Sequence, residues 1–135
     1  MIRKKAREYA FILLFEYRFQ PDAIEGILKD FIDEYNPGDQ QAYIESVVGG
    51  VIDNLSAIDE KINEFAKGWT TDRISNVSMA ILRLAIYELD FCDDIPDVVS
   101  VNEAVNLATK YEGEEAAPFI NGILGQISGM TGAKK

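Results

Sequence analysis

The chain contains no histidine among its 135 residues. Zinc sites built on histidine, catalytic triads and Cys–His pairs are therefore excluded. Its single cysteine, Cys92, cannot form an internal disulfide, which is typical of a cytoplasmic protein. Cys92 also stands among the aspartates at 90, 93 and 94, whose negative charge disfavours a reactive thiolate.

Long apolar runs are missing as well, because Glu16, Arg83 and Glu88 interrupt the best candidates for a membrane span. Glu16 and Arg18 also stand where a signal peptide would carry small residues. There is no glycine-rich phosphate loop, and the aspartates between 90 and 97 lack calcium-loop spacing. We expect a non-enzymatic cytoplasmic protein without metal, cofactor or membrane segment.

What the chain does contain is an uneven charge distribution. The net charge is −10, which by itself argues against a nucleic-acid partner. Residues 1–18 nevertheless carry five basic groups against two acidic ones. Because screening in physiological salt acts over only about 8 Å, such a basic island can bind a polyanion on an otherwise acidic body. From charge alone, an inert, solvated helix start is the favoured interpretation of the same residues.

Hydrophobic spacing indicates helices almost throughout, and no segment alternates like a strand between hairpin turns. The first predicted helix covers residues 3–19 and is apolar on nearly every side, which favours a central position. Breaks at 21–22, 36–39 and 93–96 separate later helices, and Ser56, Ser75 and Ser100 are candidate N-caps. We predict an all-α bundle of about seven helices, with halves at 1–55 and 56–128 and a frayed tail at 129–135.

Several motifs then point to a known family. Residues 3–10 read RKKAREYA, 67–69 KGW, 72–74 DRI, 80–89 AILRLAIYEL, 94–96 DIP, 101–105 VNEAV and 119–124 FINGIL, with LA at 107–108 and KY at 110–111. In this order they resemble the bacterial transcription antitermination factor NusB over nearly the whole chain. The resemblance implies an all-helical protein that binds boxA RNA with the ribosomal protein NusE and helps RNA polymerase pass terminators, notably in ribosomal RNA operons.

The resemblance also assigns roles to individual residues. The family's basic opening falls on Arg3, Lys4, Lys5 and Arg7, where lysine and arginine suit phosphate contacts. Phe119 is the candidate for stacking on a base, and core packing is its alternative role. We expect the four basic residues changed to alanine to lose RNA binding with little change in stability.

Other positions depart from the family pattern or face the protein partner. Ile12 and Phe15 replace a common glutamine and tyrosine at the predicted RNA surface, and Ser78 replaces an acidic residue that faces NusE. Tyr87 and Glu88 complete the predicted partner surface, with a structural role as their alternative. Some family members self-associate, so a homodimeric interaction module with weak RNA binding is the alternative function.

Overall fold

The computed structural model describes residues 1–67 and 74–131 of the chain. Within these residues the regular structure is helical, and the predicted all-α class with seven α-helices is confirmed. The helices are α1 (Arg3–Phe19), α2 (Ile24–Tyr35), α3 (Gln41–Asp53), α4 (Leu55–Phe65), α5 (Asn76–Phe91), α6 (Asp97–Tyr111) and α7 (Ala117–Thr131). None of the described helices is both long and apolar enough to cross a bilayer.

The central element is α5, not the first helix as the sequence suggests. Ten of its sixteen residues are buried, and it packs against α1, α3, α4, α6 and α7. A helix buried on nearly every side needs neighbours all around it, and α5 has them. α1 buries Ala10, Phe11 and Leu14, but its far end leaves Phe19 57% exposed.

The helix ends fit the predicted caps only in part. Ser75 caps α5 as predicted, because its hydroxyl accepts a hydrogen bond from the Ser78 backbone N–H at 3.0 Å. Ser56 and Ser100 are not caps, since α4 begins at Leu55 and α6 begins at Asp97 after Pro96. Pro96 supplies the extended backbone that precedes a helix, which leaves the Ser100 side chain for a buried contact described below.

The predicted boundary between the halves, after residue 55, falls at the first residue of α4, and the division stays a prediction. A single hydrophobic cluster runs through both halves, from Ala6 on α1 to Ile127 on α7. α7 continues to Thr131, so residues 129–131 of the predicted tail are helical. The motif positions 68–69 and 72–73 lie outside the described residues.

The glycine pair in α3 has a packing reason at one position only. A Cβ built on Gly50 would overlap the Tyr87 ring on α5, whereas a Cβ on Gly49 meets nothing within 4 Å. Tyr87 is held in turn by Phe91, whose ring stacks on it at 5.1 Å between centroids. Gly50 therefore permits the close approach of α3 and α5.

This contrast gives a matched prediction. Gly50→Ala is expected to lower the free energy of unfolding by about 1–3 kcal/mol, because the added methyl group forces the Tyr87 ring out of its site. Gly49→Ala is expected to raise it by up to about 1 kcal/mol, since alanine is the better helix former and the space is open. Urea unfolding of both variants checks the pair, and equal effects would contradict the assigned packing.

Candidate nucleic-acid interface

Four basic side chains gather at the start of α1. Arg3, Lys4 and Lys5 come from its first turn, and Lys110 reaches the same region from the end of α6. We call these four residues the basic surface. The first turn of α1 carries no acidic residue to offset them. Because the backbone N–H groups and the positive end of the helix dipole point the same way, this end of α1 is suited to anions.

The lysines of this surface pair with carboxylates at distances between 2.5 and 3.7 Å. Lys4 Nζ lies 3.3 Å from Glu103, and Glu8 accepts contacts from Lys5 at 3.7 Å and Lys110 at 2.5 Å. The Lys4, Lys5 and Lys110 side chains nevertheless stay 64%, 53% and 60% exposed. Exposed pairs of this kind contribute about 0–1 kcal/mol, so a phosphate group can replace the carboxylates without a large cost.

Glu8 is the carboxylate most strongly held at this surface. Hydrogen bonds from Lys110 and then from the Tyr111 hydroxyl hold the pKa of Glu8 below its ordinary value. The same contact with Glu8 raises the pKa of Tyr111 to about 12. At neutral pH Glu8 is thus ionised and Tyr111 is protonated, which keeps Lys110 beside α1.

Arg3 is held differently from the lysines. Its Nε donates to the Gln40 side-chain oxygen at 2.6 Å, and its guanidinium carbon lies 4.2 Å from the centre of the Tyr43 ring. The guanidinium is therefore positioned by neutral groups and keeps its charge uncompensated by any described ion pair. This leaves Arg3 half-buried but available to an anion.

Beneath the basic surface lies a buried cluster centred on Glu88. Its carboxylate accepts from Arg7 Nε at 2.8 Å, from the Ser100 hydroxyl at 2.7 Å and from the Tyr43 hydroxyl. Burial lowers the pKa of the Arg7 guanidinium, but the hydrogen bond and charge of Glu88 outweigh it, and the pKa rises overall. Burial and then the charge of Glu88 raise the pKa of Tyr43. One carboxylate thus ties together α1, α3, α5 and α6.

This cluster changes two of the predicted roles. Arg7 is 4% exposed and Glu88 is fully buried, so neither is placed to contact RNA or a protein partner. The alanine variant predicted to be harmless to stability includes Arg7, and that expectation does not fit a buried, paired guanidinium. Arg83, also on α5, does not join this cluster, because it donates to both carboxylate oxygens of Asp59 at 2.9 Å.

The remaining predicted residues are spread over the molecule. Phe15 lies eleven residues beyond Lys4 on α1, which is about 16 Å along a helix, so the structure does not bring it to the basic surface. It is half-buried, with its ring centre 5.2 Å from that of Phe19. Phe119, in the first turn of α7, is half-buried against the core. Both predicted roles therefore stay predictions.

The predicted partner residues lie along α5. Ser78 is 5% exposed in its first turn, and Tyr87 is half-buried over Gly50. Tyr87 keeps one exposed side near Ser46, with the two hydroxyl oxygens 3.5 Å apart. Ser78 and Tyr87 remain candidates for the partner surface.

Lys110 is the functional candidate that the sequence reasoning missed. It lines a cleft of about 70 Å³ between α1 and α6. The signal that the sequence offered is the helical spacing of the α6 residues in this cleft. The lining residues of the cleft are Lys4, Arg7, Glu8, Glu103, Asn106, Leu107 and Lys110. The α6 members follow helical spacing from 103 to 110, so they share one face, and that face opposes the start of α1. Only the tertiary structure shows which helix this face meets.

Comparison with known proteins agrees with this architecture, an all-helical body with a basic surface at the start of its first helix. The model of the NusB family matches residues 4–129. The transcription antitermination protein NusB of Acetivibrio thermocellus is 47% identical, over 94% of this chain and 88% of its own length. The corresponding protein of Natranaerobius thermophilus is 45% identical, over 95% of each chain. The chain belongs to the NusB family.

Solved structures support the same assignment. NusB of T. maritima superposes with a TM-score of 0.87 at 35% identity, covering 96% of this chain and 92% of its own. A chain from the crystal structure of antitermination factors NusB and NusE in complex with double-stranded RNA gives 0.82 at 27% identity, covering 96% and 99%. The family is one of non-catalytic transcription antitermination factors, as the sequence led us to expect.

Proposed function

We propose that this chain binds the boxA segment of single-stranded RNA together with the ribosomal protein NusE. The resulting complex acts on RNA polymerase in the cytoplasm and promotes read-through in ribosomal RNA operons. The observation that carries the proposal is the basic surface, at which three lysines remain more than half exposed. This chain shares the fold of a chain in the crystal structure of NusB and NusE with double-stranded RNA, and that complex supports the choice of partners.

The charge distribution also supports a localised RNA site. With a net charge of −10, the body of the protein repels a phosphate backbone over most of its surface. Attraction is confined to the start of α1, where cations and helix dipole act together. Such a surface binds phosphates and positions the strand, while the choice of sequence requires contacts with the bases. NusE can contribute those further contacts in the complex.

A binding titration tests this proposal directly. Fluorescently labelled single-stranded boxA-like RNA is titrated with the protein, with and without NusE, at several stated salt concentrations. We expect binding that tightens when NusE is present and weakens as salt rises, because phosphate contacts release counterions. An RNA of the same length and scrambled sequence is the control. Absence of binding under both conditions would overturn the proposed function.

A second candidate function is a homodimeric interaction module that binds RNA weakly or not at all. The observation in its favour is that each lysine of the basic surface already contacts a carboxylate of the same chain. Phe19 and Tyr35 also leave half of their surface exposed, which self-association would cover. Sedimentation with and without RNA and NusE separates the two functions. A stable dimer indifferent to both additions would favour the module.

A further inference from the structure

A second surface feature lies further along α1, where this helix meets α2. The two helices enclose a groove of about 400 Å³. Its lining residues are Tyr9, Ile12, Leu13, Glu16, Ile27, Asp30, Phe31, Glu34 and Tyr35. These residues include none of the basic surface and none of the predicted partner residues on α5, but they include Ile12, which departs from the family at the predicted RNA surface. The proposed function rests on the basic surface, which leaves the groove as a whole without a role.

The floor of the groove is apolar and aromatic. Leu13 and Phe31 are buried beneath it, and Ile12 and Ile27 are half-buried along it. The ring centres of Tyr9, Phe31 and Tyr35 lie 4.9–5.2 Å from one another, and Tyr35 remains 49% exposed. The free energy falls when another apolar group covers apolar surface of this kind. Partly exposed tyrosines are also typical contact residues in protein interfaces.

The rim of the groove is acidic on both helices. Glu16 stands on α1, Asp30 and Glu34 stand on α2, and no lysine or arginine lines the groove. None of the described ion pairs engages these three carboxylates. The whole of α2 carries four carboxylates against Lys29. This field repels RNA and attracts a cationic partner.

We propose that the groove is a docking site for a basic amphipathic segment of a protein partner. The apolar side chains of that segment pack on Ile12, Ile27 and Phe31, and its lysines or arginines pair with the rim carboxylates. Amphipathic helices bind apolar grooves in this way, with anchors at helical spacing. The acidic rim decides between possible occupants, since a second copy of this chain would bring further negative charge, as RNA would.

A synthetic peptide provides the probe. It has about 15 residues, enough to form a helix on binding, with leucines at positions i, i+3, i+4 and i+7 and lysines elsewhere. A second peptide carries glutamates in place of the lysines. We expect the lysine peptide to bind the full chain and to shift backbone amide NMR signals of α1 and α2. We expect no binding of the glutamate peptide.

Paired charge variants then separate the groove from the overall charge of the protein. The groove variant is Glu16→Gln, Asp30→Asn and Glu34→Gln. The control is Glu45→Gln, Glu60→Gln and Glu64→Gln, with the same change in net charge at exposed positions on α3 and α4. We expect the groove variant to weaken the lysine peptide about tenfold and the control less than about twofold. Equal losses would overturn the proposal.

Two further readouts exclude the other occupants. The groove variant is expected to bind boxA-like RNA as well as the unmodified chain does, so failure of the groove and failure of the proposed function are distinguishable. Ile27→Lys places a charge on the apolar floor and is expected to abolish peptide binding while circular dichroism retains the helical signal. If either variant instead dissociates a dimer in sedimentation, the groove is a self-association surface and the proposal is wrong.

Discussion

Glu88→Ala is expected to lower the free energy of unfolding by about 3–5 kcal/mol, because it leaves the Arg7 guanidinium buried without its main counter-charge. Arg7 is 4% exposed, and its closest remaining carboxylate would be Glu103 at 3.6 Å. The hydroxyls of Tyr43 and Ser100 lose an acceptor in the same step. Urea unfolding followed by circular dichroism measures the loss.

Two controls show whether the buried ion pair causes this loss. Glu60→Ala removes an exposed carboxylate and is expected to change stability by less than about 0.5 kcal/mol. Adding Arg7→Met to Glu88→Gln is expected to recover part of the loss caused by Glu88→Gln alone, because the uncompensated guanidinium is gone. If the losses measured for Arg7→Met alone and Glu88→Gln alone simply add in the double variant, the stability comes from packing rather than from charge.

The second large effect concerns RNA. The variant Lys4→Ala, Lys5→Ala and Lys110→Ala is expected to weaken binding of boxA-like RNA about 50-fold near physiological salt. Each phosphate contact contributes a log–log salt slope of about −0.7 for single strands, so three lost contacts flatten the slope by about 2. Stability should change by less than about 1 kcal/mol, because all three side chains are more than half exposed.

A matched set of basic residues provides the control. Arg18→Ala, Lys29→Ala and Lys67→Ala remove the same charge from exposed positions away from the start of α1. This control should reduce binding only slightly and leave the salt slope unchanged. The opposite change, Glu8→Gln, removes the negative charge beside Lys5 and Lys110 but keeps a side-chain oxygen that can accept from Lys110, and it should strengthen binding. If both triple variants weaken RNA equally, the basic surface is not the site.

Much of the fold follows from sequence, because helical periodicity, turn residues and the Ser75 cap act over short distances. The break at 36–39 is an example, since Asn36 ends α2 in the left-handed conformation that asparagine tolerates, with φ at 46°. Ser100 shows where this reasoning fails. Its spacing from Glu103 fits a capping box, but its hydroxyl donates to Glu88, a partner that only tertiary packing supplies.

The site was harder to predict than the fold for the same physical reason. A basic side chain at a helix start looks alike in sequence whether it is exposed, as Lys4 is, or buried, as Arg7 is. Which of the two occurs depends on the face that α1 turns towards α5. Lys110 contributes to the surface only because α6 lies beside α1. Neither fact is contained in local spacing.

The Glu88 cluster and the salt bridges above it also fix when the basic surface can form during synthesis. Glu88 follows Arg7 by 81 residues, Glu103 follows Lys4 by 99 and Lys110 follows Glu8 by 102. At about 5–20 residues per second, the last of these partners is made roughly 5–20 s after α1. Until Glu88 is made, α1 is a basic segment without its buried counter-charge. The ordered basic surface therefore requires α6, and a protein truncated before α6 would lack it.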